Sequence, residues 1–181
     1  MNIPPVDIYV FHAAIKSAMT AALSGVTVDY AYNRPGATLP VPCVFIDLES
    51  IEPDKEQDAG TEQLGVILRC SAECVTSYKI SSSTVSGKMN ARLLAASVAA
   101  LVERNKWGLG TVSPGKFRGS HPQGFSSNDQ NYESWIVNWT HCAALGADLW
   151  NITGATLEEG FAHKAPRIGA GYVAEYDELI S

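Results

Sequence analysis

The chain has 181 residues, of which 46% are hydrophobic, with a net charge of −6 and a mean hydropathy near zero. That profile fits one soluble globular domain, able to bury about 70% of the surface of its unfolded chain. Its longest apolar runs fall short of the roughly 20 residues of a membrane-spanning helix. Met1-Asn-Ile-Pro-Pro5 carries no basic residue ahead of an apolar stretch, so the expectation is synthesis in the cytoplasm with no membrane contact.

The first helix is expected to open just after Pro4-Pro5, because proline is tolerated in a first turn, and to run to about Ser24. Phe11, Ile15, Ala18 and Ala22 then form one apolar stripe, and Gly25 ends the helix. Val26 to Tyr32 is rich in β-branched and aromatic residues and reads as a strand, closed by the turn Asn33-Arg-Pro-Gly36. Val41 to Leu48 reads as a second strand, with Pro42 near its start, where proline does least harm.

The next stretch holds most of the charge imbalance. Asp47, Glu49, Glu52, Asp54, Glu56, Asp58 and Glu62 face one base, Lys55, whereas the remaining chain carries twelve acids and twelve bases. A neutral body with one acidic segment is unlike a protein that tracks a nucleic-acid backbone, which needs clustered Lys and Arg. Two readings stay open: a solvated hairpin loop, or an acidic rim that meets a basic partner or repels a passing polyanion.

A third strand is expected from about Thr61 to Val75, paired with the second as an antiparallel hairpin. Leu64, Val66, Leu68, Cys70, Ala72 and Cys74 alternate along it. On a strand, Cys70 and Cys74 stand about 13 Å apart, too far for both sulfurs to reach one zinc ion. They read, with Cys43 and Cys142, as small free side chains of a cytoplasmic protein.

The Ser/Thr-rich stretch from Thr76 to Lys88 reads as a loop, followed by an alanine-rich helix from about Gly87 to Asn105 that should lie across a sheet. Trp107 to Gln130 is dense in Gly, Pro, Ser and Asn and reads as an irregular excursion, with a short strand near Thr111 or Phe117. Then Tyr132, Trp135, Val137 and Trp139 fall largely on a beat of two, the signature of a strand with one buried face. The core domain is read as residues 1–150. Residues 151–181, with Gly154, Gly160, Gly169 and Gly171, read as an extension or arm holding a late strand over Ala170 to Tyr176.

Candidate chemistry is thin. Ser113-Pro-Gly-Lys116 spells Ser-x-x-Lys, yet Pro-Gly opposes the helical turn that would make the lysine a base for the serine. Gly87-Lys88 and Gly108-Leu-Gly110 lack the remaining residues of nucleotide-binding loops. His12, His121, His141 and His163 show no metal-ligand spacing, and neighbouring His141 and Cys142 point to opposite faces of a strand. Each histidine reads as satisfied or exposed. Asn138-Trp-Thr140 and Asn151-Ile-Thr153 spell glycosylation acceptors that matter only in a secreted chain. Glu158, Glu159, Glu175, Asp177 and Glu178 read as solvated carboxylates of the tail. No catalytic, metal-binding or cofactor-binding residue is assigned.

The succession of helix, hairpin with a polar loop, alanine-rich helix and a Tyr-x-x-Trp-x-Val-x-Trp strand (Tyr132 to Trp139) resembles the tail terminator family of long-tailed bacteriophages, also called tail completion or tail-to-head joining proteins. The similarity covers roughly residues 5 to 150, supported by Pro42 to Ile46 and the helix at Leu93 to Leu101. It implies an α/β fold of the α+β type, a mixed, mostly antiparallel sheet with helices packed on one face, and a subunit of a hexameric ring. It also implies a non-enzymatic virion protein at the head-proximal end of the tail. Its partners would be the tail tube protein and a head-tail connector or neck protein, with DNA passing through the lumen without specific binding. The acidic segment from Asp47 to Glu62 would then line the lumen or meet the tube. This chain is longer than is usual in that family, the excess falling in 108–130 and 151–181. Alternatives are another ring protein of neck or tail, such as a head completion or tube protein, a small hydrolase built around Ser113, Lys116 or His141, and a carbohydrate-binding module using Trp135, Trp139 and Trp150.

Overall fold

A computed structural model describes residues 4–35, 38–55, 63–78, 87–123, 132–146, 161–162 and 177–178. The chain divides into two units, Met1–Trp150 and Asn151–Ser181. The first contains α1 (Ile8–Ala22), β1 (Thr27–Tyr30), a single 3-10 turn (Ala31–Asn33), β2 (Cys43–Pro53), β3 (Leu64–Ser77), α2 (Gly87–Val102), β4 (Lys116–Gln123) and β5 (Tyr132–Leu145). The second contains a short antiparallel pairing of β6 (Phe161–Ala162) with β7 (Asp177–Glu178). The late strand expected at Ala170 to Tyr176 lies outside the described residues.

The five strands of the first unit form one sheet in the order β1-β2-β3-β5-β4, with β1 parallel to β2 and every other pairing antiparallel. This is the expected α+β fold with a mixed, mostly antiparallel sheet. Alternation places Val44 and Ile46 of β2, Leu68, Cys70, Ala72 and Cys74 of β3, and Val137 and Trp139 of β5 on one face. There they share one core with Phe11, Ile15 and Met19 of α1 and Ala95, Val98 and Val102 of α2. Both helices therefore cover the same side. Burying each of the larger side chains contributes about 1.5–3 kcal/mol.

Local chemistry sets the element ends. Helix α1 starts at Ile8 because Asp7 caps it, its Oδ1 accepting from the Val10 N–H at 3.0 Å. Helix α2 stops at Val102, three residues short of the expected Asn105, because Arg104 turns left-handed with φ 61° and donates its N–H to the Gly115 carbonyl at 2.8 Å. Glycine adopts that conformation without the Cβ clash. Arg104→Gly is therefore expected to raise stability by about 0.5–1 kcal/mol, read as a higher urea midpoint; an unchanged or lower midpoint would show that the arginine side chain outweighs its backbone strain.

The acidic segment is less of a loop than its composition suggests. Strand β2 continues past Leu48 to Pro53 through a bulge between Leu48 and Ser50, and β3 extends to Ser77. Pro53 is tolerated because β1 covers β2 only from Cys43 to Ile46, which leaves the far part of β2 as a sheet edge. The excursion after α2 holds a full eight-residue strand, β4, with a second bulge between Phe117 and Gly119. Its edge position and open face explain why Lys116 to Gln123 shows no hydrophobic alternation.

Opposite the helices, the β1–β2 connection crosses one end of the sheet. There Leu39 packs with Cys43, Phe45 and Val75 as a second small core beside Tyr132, whose hydroxyl accepts from the Leu39 N–H at 3.2 Å. Arg34 adds an ion pair to Glu73 at 2.7 Å and lies over the Phe45 ring.

Candidate functional site

Of the acidic candidates, Asp47, Glu49 and Glu52 lie on β2, and Asp54 follows directly after it. Asp47, opposite Ser71, and Glu49, in the β2 bulge, are exposed. Glu52 is tied within its own chain at the surface: Arg69 Nε donates to its carboxylate, and Ser50 Oγ bonds it at 3.0 Å. The Arg69 bond, then the Ser50 bond, hold that carboxyl below its ordinary pKa. At the outer end of β2, the Asp54 N–H donates to the Gly65 carbonyl at 2.9 Å. Burial, followed by hydrogen bonding to Asp54, pushes the Cys142 thiol upward. Glu56, Asp58 and Glu62 lie outside the described residues. The described acids thus divide into an exposed pair, Asp47 and Glu49, and two, Glu52 and Asp54, that bond within their own chain.

The residues that suggested a hydrolase take structural positions. His141 is buried, and its Nε2 accepts from two indoles, Trp107 Nε1 at 2.9 Å and Trp139 Nε1 at 3.2 Å. Those bonds fix the proton on Nδ1, which donates to the Ser113 backbone carbonyl at 2.7 Å. The Ser113 hydroxyl instead accepts from the Cys142 N–H at 2.6 Å. Neither imidazole nitrogen is left to activate a nucleophile. Lys116 is exposed on β4. Gly108-Leu-Gly110 belongs to the turn after α2, and Lys88 lies in the first turn of α2.

The stacking platform imagined for a carbohydrate module does not form from the strand tryptophans. Trp139 is buried in the helix-side core, and half-buried Trp135 lies beneath the Arg92 guanidinium, 5.4 Å from its ring centroid. Trp150 lies outside the described residues. Cys70 and Cys74 are buried on the same face of β3, and burial drives both thiols upward, Cys74 to about 12. Among the described residues, no group of His, Cys, Asp and Glu side chains could hold a metal ion. No helix among them is long and apolar enough to cross a membrane.

One surface feature went unread in the sequence. Tyr30 stacks on Tyr32 with centroids 5.1 Å apart, His12 leans on Tyr30 at 4.6 Å, and Lys16 lies over the Tyr30 ring while pairing with Asp29 at 2.8 Å. Tyr32 is 72% exposed and Tyr9, on the neighbouring helix, 81%. The signal was the Tyr-Ala-Tyr spacing of two, which keeps both rings on one side even though the strand gives way to a 3-10 turn.

No protein-family model matches the chain, and no curated protein is similar to it.

Proposed function

We propose that the chain is a structural subunit of a phage tail terminator: six copies close into a ring on the last layer of the tail tube, stop its growth and present the surface that receives the head or neck. The observation that carries this reading is the architecture itself. A helix, an acid-bearing hairpin arm, an alanine-rich helix and an aromatic strand follow one another along the chain and fold into a sheet with helices on one face. Such a subunit has unlike flanks, the short edge β1 and the longer edge β4, so copies can join head to tail around an axis. The exposed carboxylates Asp47 and Glu49 supply the charge that would repel DNA in transit or pair with basic residues of the tube. The subunit would be made in the host cytoplasm and end in the virion.

Electron micrographs of particles assembled without this protein test the reading: overlong tail tubes are expected. Tails of normal length lying free beside filled heads would overturn it in favour of a neck component, such as a head completion protein.

A further inference from the structure

The two bulges of the sheet occur at one level. Leu48, Cys70, Trp139 and Phe117 form a single row across β2, β3, β5 and β4, and each outer strand gains its extra residue immediately after its member of that row. The extra residues are Glu49 and Arg118. A bulge re-aims a side chain that regular alternation would place elsewhere, and bulges concentrate beside binding sites. Both residues line a cleft of about 290 Å³ on the face opposite the helices. That volume lies at the lower end of the range for small-molecule sites.

The cleft is a prepared polar surface. Thr140 is 4% exposed, and its Oγ1 accepts from Arg118 Nε at 3.0 Å, which anchors the guanidinium and leaves its outer nitrogens for a ligand. Arg69, in the middle of the lining, is neutralised by Glu52. Of the charged side chains in this lining, Arg118 on β4 and Glu49 on β2 form no ion pair among the described residues, and Glu49 acts on Arg69 only at longer range. Asn138 lies in the lining, opposite Ser71 on β3 and Gly119 on β4, and its Oδ1 is buried without a hydrogen-bond partner. A buried acceptor of that kind costs about 1–3 kcal/mol until a donor reaches it.

These features exclude the simplest ligands. A bare anion such as phosphate would suit Arg118 but would set its oxygens against Glu49 and the Asn138 acceptor. A bare cation would satisfy those two and face the guanidinium groups. We infer that the cleft between Glu49 and Arg118 binds a compact zwitterion of the α-amino acid class. Its carboxylate engages the Arg118 guanidinium, and its ammonium donates to Asn138 Oδ1 and faces Glu49. Neighbouring strands are about 4.8 Å apart, so β2 and β4 are separated by about 14 Å. The two side chains reaching in from the rims leave room between them for a small molecule. All its residues belong to one subunit, so binding is read on the chain whether or not a ring forms, although Glu49 and the β4 edge also serve the ring proposed above.

The test is an NMR titration of the full chain with the common amino acids, tested singly up to about 50 mM, beyond the millimolar range open to so small a ligand. N-acetylglycine and glycinamide, each lacking one of the two charges, are the comparison ligands. The expected result is a saturable shift of the Asn138 and Gly119 amides with at least one free amino acid, and binding at least tenfold weaker for both comparison ligands. Glu49→Gln and Arg118→Gln should each weaken amino-acid binding by about tenfold. Both positions are exposed, so retained folding is checked by far-UV circular dichroism. No saturable shift, equal binding of either single-charge analogue, or undiminished binding in both variants would overturn the inference.

Discussion

Replacing His141 with alanine is expected to lower the unfolding free energy by about 4 kcal/mol, read from urea denaturation followed by tryptophan fluorescence. One imidazole nitrogen accepts from both Trp107 and Trp139, so its loss strands two buried indole donors at about 1–3 kcal/mol each. It also opens a cavity beside Phe11, whose ring meets the imidazole edge-on at 5.2 Å. Against a total stability of about 5–15 kcal/mol, that is a large fraction. A loss below about 1 kcal/mol would mean that the indoles find other acceptors.

The same residue gives stability a defined pH dependence. Burial holds the His141 pKa below its ordinary 6.5, opposed by the weaker effect of the bond to the Ser113 carbonyl. No charged side chain is among its hydrogen-bond or ring partners. The unfolded chain takes up a proton from about pH 6.5 downward while the folded chain refuses it, so the contribution is full above 6.5 and declines as pH falls toward the lower folded value. His12, lowered first by burial and partly restored by Asp47, acts in the same window. The wild type should therefore lose stability between pH 7 and 5.5 more steeply than the His141→Ala variant, which keeps the His12 part. Parallel slopes would show that His141 binds its proton equally in the folded and the unfolded chain.

Gly115→Ala is expected to cost about 2–3 kcal/mol in the same measurement, the usual penalty for overpacking. A Cβ at Gly115 would stand 2.5 Å from the Val102 carbonyl oxygen and 3.2 Å from His141 Cε1. The first of these neighbours is backbone at the end of α2, fixed by the reciprocal bonds Arg104 N–H to Gly115 O and Gly115 N–H to Asn105 O, both 2.8 Å. Gly110 is the internal control. Nothing lies within 4 Å of its would-be Cβ, so Gly110→Ala should change stability by less than about 0.5 kcal/mol. Equal effects at the two glycines would refute the steric account.

The elements that bury one face announced themselves in the sequence. Phe11 and Ile15 gave α1 its stripe, and the alternation through Cys70 and Cys74 and through Trp135 to Trp139 gave β3 and β5 their inward faces. What escaped belongs to edges and register. Strand β4 has one neighbour, so Lys116 to Gln123 needs no apolar beat, and Gly119 and Pro122 look like loop residues. The far half of β2 was hidden by the acids that an exposed edge tolerates. A bulge has no period at all: that Glu49 and Arg118 stand at the same level depends on the pairing of four strands, which no single segment encodes. His141 shows the converse, since its partners Trp107 and Ser113 come from a stretch read as irregular.

Cover on the two sides of β2 is unequal along its length. Near Phe45 the sheet is sandwiched between the helices and the β1–β2 connection, whereas beyond Leu48 the strand loses both its β1 neighbour and that second layer. Along Ser50 to Pro53 the outer edge of β2 therefore has no strand to pair with among the described residues, and its backbone is open to a strand from another chain.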